Sequence, residues 1–192
     1  VLVIGMGLVG NFAAQLFQLA GAEVMAVDLA DFRLRQARAC GIERTVNAAD
    51  QNLEAAVMDW TGGRGVQIAV EAIGVSEIVS QAALLTGEYG EVILLGSPRA
   101  PAVFDATPML LHIHLKAIRM IGSLEWRWPQ HETPRVRDLT TNYRQVAEWI
   151  AAGRLVVEPL LTHLMAPAAC QMVYAGLSGQ KEEYLGAVFD WR

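Results

Sequence analysis

The sequence contains only two cysteines in 192 residues, Cys40 and Cys170. Two thiols cannot build a disulfide framework or a four-sulfur metal site. Scarce cysteine fits a reducing compartment, so we expect a cytoplasmic protein. Neither cysteine has a second cysteine or a histidine at the spacing of metal ligands, and we therefore expect Cys40 to be a core residue.

Basic residues are missing from the apolar beginning of the chain, where the first lysine or arginine is Arg33. A secretory signal peptide starts with a basic segment, and a membrane helix needs about 18 uninterrupted apolar residues. Asn11, Gln15, Gln18 and Glu23 interrupt the apolar run. The sequence thus predicts neither a signal peptide nor a membrane span.

Positive charge is in the minority, because 15 Lys and Arg residues stand against 20 Asp and Glu residues, for a net charge of -5. A protein that binds nucleic acid over its whole surface has the opposite balance, so we expect no nucleic-acid partner. Charged residues make up only 18% and hydrophobic residues 53%, which excludes a disordered chain and allows a sizeable core.

Short apolar runs alternate with segments of helical periodicity over the first 96 residues. The runs predict strands at 1–4, 24–27, 45–47, 66–70 and 92–95. The segments between them predict helices at 8–19, 31–40, 51–60 and 76–85. This alternation is typical of the α/β class, with a parallel sheet covered by helices on both faces. We predict a doubly wound sheet of about six strands in the order 3-2-1-4-5-6, with residues 116–121 as the sixth.

The alternation stops after residue 123. The sequence there predicts a loop at 124–135, an amphipathic helix at 137–152, an extended stretch at 159–167, a helix at 168–177 and a strand at 186–189.

The strongest local motif is Gly5-Met6-Gly7-Leu8-Val9-Gly10, between the first predicted strand and the first helix. Gly5 permits a tight turn, Gly7 lets a pyrophosphate approach the backbone, and Gly10 lets the helix pack closely on the strand. The free N–H groups and positive dipole end of the helix bind an anion without a basic side chain. The motif predicts a dinucleotide site, and the alternative is a tight turn without a ligand.

Asp28 ends the second predicted strand, 18 positions after Gly10. That spacing is close to the roughly 20 residues expected of an acid that binds the adenosine ribose hydroxyls. Its charge would repel a 2′-phosphate, which favours NAD over NADP. Arg33 is placed to reach the same ribose. The alternatives are a helix cap for Asp28 and an exposed charge for Arg33.

An ordered set of segments resembles the cofactor-binding part of zinc-type alcohol dehydrogenases, in the medium-chain dehydrogenase/reductase superfamily. The matching segments are residues 3–10, 20–22, 26–28, 70–74, 90–96, 121–123, 158–163 and 186–190. The resemblance covers nearly the whole chain. It implies an NAD-binding Rossmann domain over 1–123 and, over 124–192, a return segment that packs on a preceding catalytic domain.

The resemblance also assigns cofactor contacts to residues beside the strand ends. It implies that Val9 lies under the nicotinamide, Leu29 beside the adenosine and Ile73 beside the adenine. The remaining implied contacts are Leu8, Ala72, Gly74, Leu95, Gly96, Ser97, Ile121 and Gly122. Apolar side chains suit these places because a nicotinamide ring needs a dry, flat wall. The alternative for Ile73, Leu95 and Ile121 is plain core.

No catalytic or metal-binding residue is expected in this chain. In the resembled family the zinc ligands and the proton relay belong to the preceding domain. The chain opens at Val1 inside an apolar strand and looks cut from something longer. His112 and His114 would share one face of an extended segment, but we expect them to precede the sixth strand rather than bind metal. Neither His131 nor His163 is a candidate base.

The implied parent enzyme moves a hydride between nicotinamide and an alcohol or carbonyl substrate, with zinc as a Lewis acid. One alternative is a zinc-free quinone reductase of the same superfamily. A second is a non-catalytic nucleotide-sensing module, which usually ends after the sheet. The resemblance further implies a homodimer through residues 116–121, because a bare apolar edge invites pairing. The alternative there is an edge covered by residues 124–135.

Overall fold

In a computed structural model of the protein, residues 1–124 and 138–192 are described. The first part forms one six-stranded parallel sheet with the strand order β3-β2-β1-β4-β5-β6. The strands are β1 Leu2–Ile4, β2 Met25–Asp28, β3 Arg44–Asn47, β4 Val66–Glu71, β5 Thr86–Leu94 and β6 Arg119–Gly122. The helices between them are α1 Leu8–Leu19, α2 Asp31–Ala39, α3 Leu53–Thr61, α4 Ser76–Leu85 and α5 Thr107–Lys116. The predicted fold class and strand order are confirmed.

The sheet separates two apolar clusters, which explains why its strands are apolar along their whole length. Leu2 and Ile4 belong to the cluster on one face, and Val3 between them belongs to the cluster on the other. All three are nearly inaccessible to solvent. Strand β1 lies in the middle of the sheet, and the glycine loop follows it directly. The glycine loop therefore lies at the centre of one edge of the sheet.

The boundary of the sixth strand was predicted wrongly. Residues up to Lys116 belong to helix α5, and the strand covers only Arg119–Gly122. Pro108 lies in the first turn of α5, where its fixed φ favours a helix. Ala117 ends the helix in the left-handed region, with φ 51°. His112 and His114 therefore lie on a helix that precedes the sixth strand, as expected, and not on an extended segment.

The fifth strand begins earlier than predicted, at Thr86 instead of residue 92. Thr86 pairs with Val66, and the register between β4 and β5 shifts before Glu91. Tyr89 lies in this irregular part, with φ 57°, a backbone conformation that residues other than glycine rarely adopt. The turn-like sequence of residues 87–90 thus forms an irregular beginning of β5.

The C-terminal part contains α6 Leu139–Ala151, a short 3-10 turn at Glu158–Leu160, β7 Leu161–Met165, α7 Cys170–Gly179 and β8 Gly186–Phe189. Strands β7 and β8 form a separate, parallel two-stranded sheet. The predicted helices and strands of this part are confirmed within a few residues. Apart from Leu124, the predicted loop at 124–135 lies outside the described residues.

A small apolar cluster joins this part to the first. Leu160 and Leu185 pack with Cys40, and Phe12 and Val156 contact the same cluster. Among the described residues, no helix is long and apolar enough to cross a membrane.

Candidate cofactor site

The predicted site residues meet at the carboxyl edge of the six-stranded sheet. The loop after β4 touches the loops after β1 and β5 there, and Asp28, at the end of β2, contacts the loop after β1. In doubly wound sheets ligands bind outside this edge, where the strand order reverses. Here the reversal lies between β1 and β4. Ile121 and Gly122, in β6, pair in register with Ile93 and Leu94 at the same edge.

The glycine loop is packed tightly at two of its three glycines. Gly5 has φ 100°, and a Cβ there would lie 2.6 Å from Ile73 Cγ1. A Cβ on Gly10 would lie 1.8 Å from the Gly5 carbonyl oxygen and 3.2 Å from Ala72 Cβ. Both glycines are therefore required by the fold itself, as the motif predicts for the turn and for close helix packing.

Gly7 is different, because no other part of the described chain occupies the space beside it. Its φ of -66° is open to any residue, and, its two chain neighbours aside, no atom of the described residues lies within 4 Å of the position that a Cβ would take. Gly7 is the N-cap of α1 and supplies no side-chain cap to the first turn. The first-turn N–H groups and the open space beside Gly7 together fit a pyrophosphate, which binds at uncapped helix N-termini.

Asp28 is fixed between the glycine loop and the start of α2. Its Oδ2 accepts a hydrogen bond from the Met6 N–H at 2.7 Å, and its Oδ1 accepts one from the Ala30 N–H at 2.9 Å. The second bond stabilises the turn that leads into α2, but Ala30 is the N-cap of α2 and the helix has no side-chain cap, so the capping alternative is not supported. Each carboxylate oxygen keeps a lone pair for a further donor. The geometry is compatible with the predicted ribose role, which remains a prediction.

Arg33 lies beside this carboxylate. Its guanidinium nitrogen Nη1 is 3.7 Å from Asp28 Oδ2, and only 22% of its side chain is exposed. Its Nε is buried and, within residues 1–124 and 138–192, has no hydrogen-bond partner. Arg33 is therefore not a plain exposed charge, and its predicted contact with the ribose stays a prediction.

Glu71 organises the site, a role that the sequence did not suggest. It ends β4, is 1% exposed, and accepts hydrogen bonds at Oε1 from the N–H groups of Ile73 and Gly74, both at 2.8 Å. Its main-chain carbonyl accepts from Leu95 at 2.9 Å and from Gly96 at 2.8 Å. One residue thus shapes two site loops. The available signal was an acid directly after an apolar strand, as at Asp28.

The loops after β4 and β5 touch through glycines. A Cβ on Gly74 would lie 2.1 Å from the Ser97 carbonyl oxygen, and a Cβ on Gly96 would lie 2.2 Å from the Gly74 nitrogen. Any side chain at either place would push the two loops apart. The segments 72–74 and 95–97 therefore form one continuous wall beside the glycine loop.

Several apolar side chains at this edge are open to solvent. Val9 is 57% exposed, Leu29 67%, Ile73 40% and Ile121 39%. Burial in this chain thus does not explain Ile73 or Ile121, and the plain-core alternative fails for both. Leu95 is partly buried and packs against the cluster around Val3, so for Leu95 the core alternative has support.

Cys40, at the end of α2, and His112, in α5, lie apart from this edge. Cys40 is buried, and desolvation raises the pKa of its thiol to about 11, so it stays protonated. The predicted core role of Cys40 is confirmed. His112 Nε2 lies 3.0 Å from the Thr86 carbonyl oxygen at the other end of β5. The described residues contain no group of three or more histidine, cysteine, aspartate or glutamate side chains that could hold a metal ion.

A cavity of about 820 Å³ opens at the opposite, amino edge of the sheet, between Val1, Trp60, Arg64 and Lys116. None of the predicted site residues lines it. Because ligands of doubly wound sheets bind at the carboxyl edge, we place the candidate site there and not in this cavity.

Comparison with known proteins agrees with this geometry. Residues 9–142 match the model of a family described as zinc-binding dehydrogenase. The chain belongs to this family. L-threonine 3-dehydrogenase of Bacillus subtilis (strain 168) is 26% identical over 162 residues, which cover 84% of this chain and 43% of that protein. The chain therefore spans somewhat less than half the length of this relative.

Solved structures share the fold. A zinc-dependent alcohol dehydrogenase 2 from Streptococcus pneumonia, in its apo form, superposes with a TM-score of 0.79 at 24% identity over 100% of this chain and 52% of that one. An alcohol dehydrogenase from E. coli CFT073, complexed with the cofactor NADH, superposes with a TM-score of 0.76 at 18% identity over 99% and 51% of the chains. At these identities the likeness establishes the fold.

Proposed function

We propose that the chain is the NAD(H)-binding part of a zinc-dependent alcohol or polyol dehydrogenase. The cofactor would supply the hydride acceptor, and the chain would bind and orient it. The observation that carries the proposal is the space beside Gly7, which the fold does not need and a pyrophosphate would fill. The fixed carboxylate of Asp28 supports NAD over NADP.

The proposed cofactor contacts follow the carboxyl edge. The pyrophosphate would lie on Gly7 and the start of α1, and the adenosine between Asp28, Arg33, Leu29 and Ile73. The nicotinamide would lie along the segment 95–97, near Val9 and Ile121, where exposed apolar side chains offer a dry wall. Binding would cover the apolar surface that this chain leaves open.

We propose that the chain divides into a Rossmann domain, 1–123, and a return segment, 124–192, that packs on a catalytic domain outside these residues. Strands β7 and β8 support this division, because two strands alone are marginally stable in water. Their region exposes large apolar side chains, among them Leu164 at 65% and Trp191 at 83%. A further domain on this side would bury them.

The alternatives are less well supported. The relatives quoted above are named as dehydrogenases, which favours the first proposal over a zinc-free quinone reductase. A nucleotide-sensing module gives no account of the β7–β8 sheet and its exposed apolar residues. The substrate would be a small alcohol or carbonyl compound. Neither cysteine is paired, which supports a cytoplasmic location.

If this chain binds the cofactor and a separate domain carries out catalysis, the purified chain should bind NADH, should not oxidise alcohols and should hold no stoichiometric zinc. The proposed zinc ligands and proton relay lie outside the 192 residues. Isothermal titration calorimetry with NADH, an NAD⁺-reduction assay with simple alcohols and elemental analysis are the measurements. One zinc per chain, or alcohol-dependent NADH production, would contradict this division.

We also propose a homodimer through the open edge of the sheet. No described strand pairs with the outer side of β6, and Met120 and Ile121 in it are each 39% exposed. Leu110, Leu111 and Leu115 on the neighbouring α5 are more than half exposed. A second copy related by a two-fold axis would extend the sheet and bury this surface.

Met120→Pro is expected to shift the chain from dimer to monomer. The Ser123 N–H donates to Leu94 of β5, so by alternation the Met120 N–H faces the open edge. Proline removes that donor and spares the bonds to β5. Met120→Thr, which keeps the N–H, is the control. Analytical ultracentrifugation measures the result, and a Met120→Pro variant that remains dimeric would move the interface elsewhere.

Ile118→Pro is unsuitable as a test of this interface. Ile118 precedes β6, is 7% exposed, and donates its N–H to the Ile113 carbonyl at the end of α5. Proline there would remove a helix-capping bond and disturb the core, instead of removing a donor at the sheet edge.

A further inference from the structure

Helix α1 carries a buried polar stripe on the side that faces the C-terminal part. Gln15 is 3% exposed and Asn11 is not exposed at all. Gln15 Nε2 donates to Asn11 Oδ1 at 2.8 Å. One turn earlier, Leu8 lies next to Gly186 of β8. The polar stripe therefore lies between the N-terminal end of α1, at the proposed pyrophosphate site, and the segment that precedes β7.

The side chain of Gln15 binds both backbone polar groups of Val156 in this segment. Its Nε2 donates to the Val156 carbonyl at 2.9 Å, and its Oε1 accepts from the Val156 N–H at 2.7 Å. The side-chain amide thus pairs with the backbone as a neighbouring strand would. The apolar cluster around it, with Cys40, Leu160 and Leu185 at its centre, is small. Directional hydrogen bonds at such a junction select one placement of the segment.

Asn11 leaves this network incomplete. Its Nδ2 is buried and has no hydrogen-bond partner within the described residues. A buried donor without an acceptor is costly, so the docked arrangement carries a built-in penalty. A partly loosened segment would leave the polar groups of Gln15 and Val156 buried and unpaired, which favours two discrete states, docked and released, over gradual loosening.

We propose that Gln15 is a positioning residue that couples nucleotide binding at the start of α1 to the docking of residues 153–165. The coupling rests on the proposed nucleotide site. A nucleotide that fixes the start of α1 fixes Gln15 two turns further along the same helix. The docked state then gains stability, and by reciprocity docking tightens nucleotide binding by the same factor.

The test is hydrogen exchange measured by mass spectrometry on the chain with and without NADH. We expect NADH to slow exchange at residues 5–12 and also at 153–165. In Gln15→Leu, exchange at 153–165 without nucleotide should be about ten-fold faster, because the clamp is lost. NADH should no longer change it, and NADH affinity should fall about five-fold or more.

Gln18→Leu is the matched control, because Gln18 lies on the same helix and donates to the Gly41 carbonyl instead, at 3.1 Å. It should behave like the unchanged chain. If Gln15→Leu does not fold, Gln15→Glu takes its place. It keeps the acceptor for Val156 and loses the donor, and it should give an intermediate response.

Two outcomes overturn the coupling while the nucleotide site stands. In one, NADH protects residues 5–12 of the unchanged chain but not 153–165. In the other, Gln15→Leu keeps the full NADH-dependent protection of 153–165. If NADH protects neither segment, the proposed function fails, and the coupling fails with it.

Discussion

Replacing Gly10 with alanine is expected to remove about 2–3 kcal/mol of stability and to abolish NADH binding. A Cβ at residue 10 would lie 1.8 Å from the Gly5 carbonyl oxygen and 3.0 Å from its carbon. Both are backbone atoms at the centre of the sheet edge, so they cannot move aside as a flexible side chain would. The phosphate loop itself would have to shift. Urea unfolding followed by circular dichroism measures the loss.

Gly87→Ala serves as a comparison for crowding at glycines far from the site, because a Cβ there would lie 2.5 Å from the Arg64 carbonyl oxygen. It should cost stability by the same mechanism. Its effect on NADH affinity, measured under conditions where the variant is folded, should be small. An unfolding midpoint of Gly10→Ala equal to that of the unchanged chain would contradict the tight packing of the loop.

Replacing Asp28 with alanine is expected to weaken NADH binding by about 1–3 kcal/mol, the usual cost of leaving polar partners unpaired. Part of the loss would come from the protein, because Asp28 also accepts hydrogen bonds from Met6 and Ala30. Asp28→Asn separates the two contributions, since it keeps the shape and removes the negative charge. Isothermal titration with NADH and NADPH measures both affinities.

The preference between the two nucleotides is the more informative result. In both variants the NADPH affinity should rise relative to the NADH affinity, because the carboxylate no longer repels the 2′-phosphate. Arg33, 3.7 Å from the carboxylate, would then be free to contact that phosphate. An unchanged ratio of the two affinities in Asp28→Asn would show that Asp28 does not face the ribose.

The sheet order and the core of the site were predictable because their signals are local. A strand buried on both faces is apolar throughout, and a helix between two such strands has helical periodicity, so Leu2–Ile4 and Leu8–Leu19 were readable directly. Gly5, Gly7, Gly10 and Asp28 stand at fixed positions relative to those elements. The structure brings these four residues together at one edge, as the sequence predicted.

The contacts that depend on distant parts of the chain were not predictable. The main-chain carbonyl of Glu71 accepts hydrogen bonds from the N–H groups of Leu95 and Gly96 in another loop, and no spacing in the sequence announces such bonds. The close approach of Gly74 to Ser97 joins loops 23 residues apart. Helix α5 was not predicted, and its last residue, Lys116, was assigned to the sixth strand, because periodicity cannot separate the short apolar runs on either side of Lys116.

The central claim is that the space beside Gly7 holds the pyrophosphate of NAD(H). Isothermal titration of the unchanged chain and of Gly7→Ala with NADH tests it most directly, with thermal unfolding of both as the check on folding. The Cβ of Gly7→Ala meets no atom of the other described residues within 4 Å, its chain neighbours aside, so the loss of stability should not exceed about 1 kcal/mol, the scale of an N-cap exchange. NADH affinity should fall at least about ten-fold, equivalent to about 1.4 kcal/mol. Equal NADH affinity in the two proteins, or no NADH binding by the unchanged chain, would contradict the account.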